Sequence, residues 1–174
     1  DNNVKIIGGK WKRKNISFHE AKGLRPTLGK VRETLFNWLG QDLNNKVCLD
    51  LFAGTGALGF EALSRNAELC IFVENNPSTF RKLLENKENL KADNAIIKKI
   101  HADFFIKDNE KLFDIIFFDP PFILDNSIQI IELIRKFLKP NGVIYFETNI
   151  KLPENFLEII KTSRAGKVYF HLVH

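Results

Sequence analysis

The chain has 174 residues, 44% hydrophobic and 27% charged, a composition that fits a globular fold with a real core in one compact unit. No apolar run approaches the ~20 residues that span a bilayer and the opening residues do not read as a secretory leader, so a membrane span is excluded and a cytoplasmic location is expected. The net charge of +5 is uneven: residues 1–40 hold nine Lys+Arg against three acids, whereas residues 41–174 hold 17 against 18.

That split defines a basic N-terminal extension over 1–40 and a near-neutral body over 41–174. A basic arm on a neutral body points to a polyanionic partner, because phosphate neutralisation is the sequence-independent part of nucleic-acid binding. A lysine-rich solvated surface has the same composition. Val4 to Ile7 and Asn15 to Phe18 are β-like runs, read as a hairpin or extended arm that carries Lys10, Trp11, Lys12, Arg13 and Lys14. A tryptophan among cations can stack on a base or pack beneath the arm. Gly23-Leu24-Arg25-Pro26-Thr27 is a loop, with Thr27 as candidate cap for a helix over Leu28–Leu39, where Leu28, Val31, Leu35, Trp38 and Leu39 recur at helical spacing. Lys30 and Arg32 project from its first turns, where cations gain little from the helix dipole.

Lys46 to Phe52 reads as a buried strand, and Ala53-Gly54-Thr55-Gly56-Ala57-Leu58-Gly59 as a glycine-rich turn opening a helix through Arg65. Strands follow at Glu68–Val73, Ala95–Ile100, Phe113–Asp119 and Val143–Glu147, with helices from Pro77 to about Leu90 and from Ser127 to Leu138. This alternation predicts a doubly wound, mostly parallel sheet. The tail from Phe156 to Val173 reads as a closing hairpin around Arg164–Lys167, with a helix over its first half as the alternative. Cys48 and Cys70 lie inside apolar runs and are expected to be core residues. The histidines lack metal-ligand spacing, so no metal is expected.

Gly54, Gly56 and Gly59 make a G-x-G-x-x-G, and Glu74 stands 20 residues beyond Gly54, which also fits a dinucleotide fingerprint. Asp50 decides between them. A carboxylate at that strand end repels a pyrophosphate and suits a ligand with an ammonium group and no phosphate, such as S-adenosylmethionine. Glu74 would take its ribose hydroxyls and Asp103 its adenine amine. Phe113–Phe122 is the second chemical centre: an apolar strand ending in Asp119, then Pro120, Pro121 and Phe122. An exocyclic amine is a weak nucleophile because its lone pair is delocalised. Asp119 and the Pro120 carbonyl would accept its two hydrogens, and Phe122 would stack on the base.

These residues resemble the RsmD-type methyltransferases. The matching stretches are Ile6–Trp11, Gly23–Thr27, Val31–Leu39, Cys48–Asp50, Phe52–Gly59 with Glu61–Arg65, and Asp119–Phe122. The resemblance implies a seven-stranded Rossmann-like fold of class I S-adenosylmethionine-dependent methyltransferases, with an N-terminal β-hairpin extension. It implies transfer to the N2 amine of a guanine in 16S ribosomal RNA within the small subunit. Separately, a monomer is expected. It puts the target amine at Asp119, Pro120, Pro121 and Phe122. The cofactor falls to Asp50, Phe52, Ala53, Gly54, Thr55, Gly56, Leu58, Gly59, Glu74, Asn75, Ala102 and Asp103. The RNA falls to Lys10, Trp11, Lys12, Arg13, Lys14, Arg25 and Arg32. The alternatives are an N6-adenine DNA methyltransferase, a methyltransferase of small molecules or proteins, and an NAD- or RNA-binding module.

Overall fold

The computed structural model describes residues 2–21, 24, 26–120, 126–153, 155 and 157–174. A two-stranded antiparallel hairpin, β1 (Asn2–Lys5) and β2 (Asn15–Phe18), precedes helix α1 (Gly29–Leu39). The body then runs β3 (Val47–Asp50), α2 (Ala57–Ser64), β4 (Leu69–Val73), α3 (Pro77–Leu90), β5 (Ala95–Lys98), α4 (Ala102–Asp108) and β6 (Phe113–Phe118). It ends with α5 (Ser127–Ile134), β7 (Leu138–Thr148), β8 (Ile159–Ala165) and β9 (Val168–Val173). The seven-stranded sheet has the order β5-β4-β3-β6-β7-β9-β8. Its first five strands are parallel, and β9 and β8 close it antiparallel.

The central strands are apolar on both faces because helices cover both. Cys48, Ile115 and Phe117 point into a core with Leu35, Phe36, Phe60 and Leu83. Leu49, Ile116 and Phe118 point the other way, onto Phe105, Ile130, Ile131 and Ile134. Each such side chain contributes about 1.5–3 kcal/mol on burial. Cys48 and Cys70 are register partners on β3 and β4, both free thiols and fully buried, as the core reading expected. Gly59 lets α2 lie directly on β4, since a Cβ there would fall 2.3 Å from the Phe72 ring. The chain leaves β3 for β4 and β5 on one side and returns to β6 on the other. The carboxyl ends of β3 and β6 therefore flank the switch point where open α/β sheets hold ligands.

The arm is seated on the body. Glu61, fully buried on α2, accepts the backbone N–H groups of Ile7 and Gly8, each at 2.9 Å. The Ser64 carbonyl accepts from Lys10 N–H at 2.8 Å, and its hydroxyl accepts from Trp11 N–H at 3.0 Å. Gly9 is required at this contact: its φ is +78°, and a Cβ would lie 1.9 Å from the Ser64 carbonyl oxygen. From the other side, Asn86 of α3 exchanges hydrogen bonds with the Ser17 backbone at 3.1 and 2.8 Å.

Two elements differ from the sequence expectation. Helix α4 was not foreseen; it is two turns long, and only Ala102 and Phe105 are buried on it. Strand β7 begins at Leu138, before the Val143 start expected, and takes in Lys139–Gly142 as an irregularity in its pairing with β6, with Phe113 opposite Leu138 and Ile115 opposite Val143. The closing hairpin expected of the tail is present: where described, its first half is strand β8, paired antiparallel with β9. The expected Thr27 cap is also corrected: Leu28 holds the N-cap position of α1 without a side-chain hydrogen bond.

Candidate active site

A cavity of about 450 Å³ opens over the carboxyl ends of β3 and β4, lined by the glycine turn, Glu74, His101, Ala102 and Asp119 among others. Asp50 forms its floor at the end of β3, 2% exposed, and its Oδ2 accepts the Gly59 N–H at 3.1 Å. Burial holds the Asp50 carboxyl well above the usual carboxylate range. The Gly59 hydrogen bond opposes that shift, and the negative charges of Asp119 and Glu74 add to it. Glu74, at the end of β4, accepts Gly54 N–H at 3.0 Å on Oε1 and Asn76 N–H at 2.9 Å on Oε2. Each oxygen keeps acceptor capacity for a ligand hydroxyl.

The expected cofactor residues Asp50, Phe52, Ala53, Gly54, Thr55, Leu58, Glu74, Asn75 and Ala102 all line this cavity. Gly56 and Gly59 are not in its lining: Gly56 ends the turn and Gly59 lies within α2. Gly56 caps α2 at φ +81°, where a Cβ would meet Leu83 and Phe60 at 2.7 Å. Asp103 is the exception. It lies in the first turn of α4 with its side chain 74% exposed, 3.7 Å from His101 Nδ1, and outside the cavity wall. The capping turn of α4 rotates it outward and leaves His101 and Ala102 at the position assigned to it.

Asp119 follows β6 directly. A second cavity of about 260 Å³ lies beyond it, lined by Pro120, Ser127, Phe146, Glu147, Asn149 and Lys167 among others. Asp119 is the one described residue that lines both cavities. Its Oδ2 accepts the Thr27 hydroxyl at 3.1 Å across 92 residues of sequence, a contact that no local pattern announces. Pro121 and Phe122 lie outside the described residues. The C-terminal hairpin reaches this cavity through Lys167 and Val168.

The basic arm divides. Lys10, Lys12, Arg13 and Lys14 are exposed, with Lys10 Nζ 4.8 Å from the centre of the Trp11 ring. Trp11 itself is 6% exposed and packed in the core, so it is a core residue and not a base-stacking surface. Arg32 is likewise corrected. It is 5% exposed and donates to the carbonyls of Thr27 (3.2 Å) and Lys5 (3.0 Å) and to Glu61 Oε1 (3.3 Å). Burial lowers its pKa, and Glu61 opposes that shift. Its helical position suggested projection, but the arm folds over it. Arg25 lies outside the described residues. Among the described residues, no helix is long and apolar enough to cross a membrane, and no group of three or more His, Cys, Asp or Glu could hold a metal ion.

This strand order, with the antiparallel closing strands and a glycine turn after the first body strand, defines a Rossmann-like fold of the S-adenosylmethionine-dependent methyltransferases. The family described as "Conserved hypothetical protein 95" matches residues 4–174, and the chain belongs to it, the RsmD family. A Haemophilus influenzae protein named Ribosomal RNA small subunit methyltransferase D is 38% identical over 179 residues, covering 97% of this chain and 92% of its own. The Escherichia coli K12 protein of that name is 36% identical and covers 97% and 88%. The solved structure described as "Putative methyltransferase yhhF from Escherichia coli" superposes with a TM-score of 0.87 at 33% identity, covering 98% of this chain and 97% of that one.

Proposed function

We propose that this protein transfers a methyl group from S-adenosylmethionine to the N2 amine of a guanine in small-subunit ribosomal RNA. The observation that carries the reading is the position of Asp119, a carboxylate shared by two cavities. A transfer reaction needs donor and acceptor held in adjoining sites, with the reacting atoms brought to about 3–3.5 Å, and Asp119 stands where the two cavities adjoin.

The donor cavity suits a cation. Asp50, Glu74 and Asp119 line it together, and their mutual repulsion contributes to the raised Asp50 pKa. A pyrophosphate would worsen that repulsion; an ammonium group and a sulfonium relieve it. Asp50 would hold the ammonium, Glu74 the ribose hydroxyls, and the wall at Ile100, His101 and Ala102 the adenine. S-adenosylmethionine supplies an electrophilic methyl on cationic sulfur, so its transfer to a neutral amine leaves a thioether and one proton to be shed. Asp119 and the Pro120 carbonyl would accept the two amine hydrogens and aim the nitrogen lone pair. Electrostatic alignment of this kind needs no covalent intermediate. Both cysteines are buried, with their thiol pKa values raised, and neither is a nucleophile.

Ribosomal RNA as acceptor is supported by the names of the relatives and by the exposed cations of the arm. The test separates the two cavities. Asp119→Ala is expected to abolish transfer while cofactor affinity stays within about twofold. Glu74→Ala is expected to weaken cofactor binding by about tenfold or more, the scale of a lost hydrogen bond to a charged group. Equal loss of transfer and affinity in Asp119→Ala, or unchanged affinity in Glu74→Ala, would overturn these roles.

A further inference from the structure

We infer that Thr27 and Arg32 are positioning residues for Asp119, and that they tie its orientation to the seating of the N-terminal arm. This rests on the reading of Asp119 as the group that receives the target amine. The contacts form a continuous chain. The Thr27 hydroxyl donates to Asp119 Oδ2 at 3.1 Å, fixing one carboxylate oxygen. The Thr27 carbonyl is held by Arg32 Nε at 3.2 Å. The same guanidinium grips the β1 strand through the Lys5 carbonyl at 3.0 Å and pairs with Glu61 at 3.3 Å. Glu61 in turn holds the arm at Ile7 and Gly8 and pairs with Arg65 at 3.0 Å.

The chemistry favours a positioning role over a packing one. A carboxylate that must accept an amine hydrogen along a defined direction gains from a neutral donor on its other lone pair. Such a donor fixes the rotamer without neutralising the charge. A hydroxyl does this, whereas a lysine or arginine there would pair with Asp119 outright. Arg32 suits its own role because its planar fork spreads donors in fixed directions, Nε to Thr27 and Nη1 to Lys5 and Glu61, whereas an ammonium offers its donors from a single point. The arrangement also explains why a strongly basic arm keeps one arginine out of solvent. Its guanidinium joins arm, loop and helix behind the acceptor carboxylate.

The experiment compares Thr27→Val, Thr27→Ser, Arg32→Lys and Asp119→Ala in the full chain. It uses S-adenosylmethionine and unmodified small ribosomal subunits, and measures turnover, cofactor affinity and the melting temperature of each variant. The expected result for Thr27→Val is a fall in turnover of about tenfold or more, the scale of one hydrogen bond to a charged group, with cofactor affinity within about twofold. Thr27→Ser keeps the donor and is expected to restore most of the turnover. Arg32→Lys is expected to lower turnover as Thr27→Val does. Wild-type turnover in Thr27→Val overturns the inference, as does equal damage by valine and serine. Loss of cofactor affinity in step with turnover also overturns it. If Asp119→Ala itself transfers methyl normally, the acceptor reading fails. If Asp119→Ala is inactive while Thr27→Val is unimpaired, only the positioning role fails. The Thr27 pair decides the matter even if Arg32→Lys does not fold.

Discussion

At the scale of single residues, the cavity gathers carboxylates whose repulsion a cationic ligand relieves. The Asp50 carboxyl titrates above its ordinary range because it is buried beside two other carboxylates. Its ionised form is the one that pairs with an ammonium group. Cofactor affinity is therefore expected to rise as pH increases through the range where Asp50 titrates, with a proton released on binding. In Asp50→Asn this pH dependence is expected to flatten and affinity to fall. Calorimetry in buffers of different ionisation heat reads both quantities. A proton uptake, or an unchanged pH profile in Asp50→Asn, would contradict the assignment. Asp50 and Glu74 are legible in the sequence because each ends an apolar strand, Asp50 just before the glycine turn and Glu74 20 residues beyond Gly54. Thr27 was not: its partner is 92 residues away, and its neighbours suggested only a helix cap.

At the scale of elements, the docking of the arm on α2 depends on one buried acid. Glu61 accepts two backbone N–H groups and pairs with Arg32 and Arg65. Glu61→Ala would leave two guanidinium groups buried without their acid, a loss of about 3–5 kcal/mol. Urea denaturation measures it, and a loss below about 1 kcal/mol would show that the network is dispensable. The parallel strands and long helices were readable from apolar runs and helical spacing, and Pro77 marked the start of α3. Helix α4 was missed because two turns with two buried residues leave almost no periodic signal. The burial of Arg32, against its expected projection, and the packing of Trp11, one of the two fates the sequence leaves open, share one cause. Their burial comes from the tertiary seating of the arm, which charge and spacing along the chain do not record.

At the scale of the whole molecule, two features set its response to solvent. His171 is 1% exposed on β9, between Thr148 Oγ1 at 2.9 Å and Thr162 Oγ1 at 2.8 Å. The Thr148 hydroxyl also donates to the Ile150 carbonyl at 2.7 Å, so it accepts from His171 Nε2–H and leaves Nδ1 to accept from Thr162. Burial lowers the His171 pKa from 6.5 to about 4. A histidine kept neutral in the fold but free to charge when unfolded stabilises above pH 6.5, and that contribution is lost as pH falls toward 4. Melting curves are expected to show this loss, with a shallower slope in His171→Gln; an identical slope would contradict it. The second feature is the charge of the arm. Replacing Lys12, Arg13 and Lys14 with alanine is expected to weaken RNA binding and to reduce the log–log salt slope by about 0.7 for each phosphate that is no longer neutralised. A salt slope unchanged by those substitutions would place the RNA elsewhere on the surface.

The most direct measurement is labelled-methyl transfer from S-adenosylmethionine to small ribosomal subunits lacking the modification, with free RNA and DNA alongside, followed by nucleoside analysis. The expected product is N2-methylguanosine, formed on the particles. N6-methyladenine, or no transfer despite intact cofactor binding, would contradict the proposed reaction while leaving the donor cavity standing.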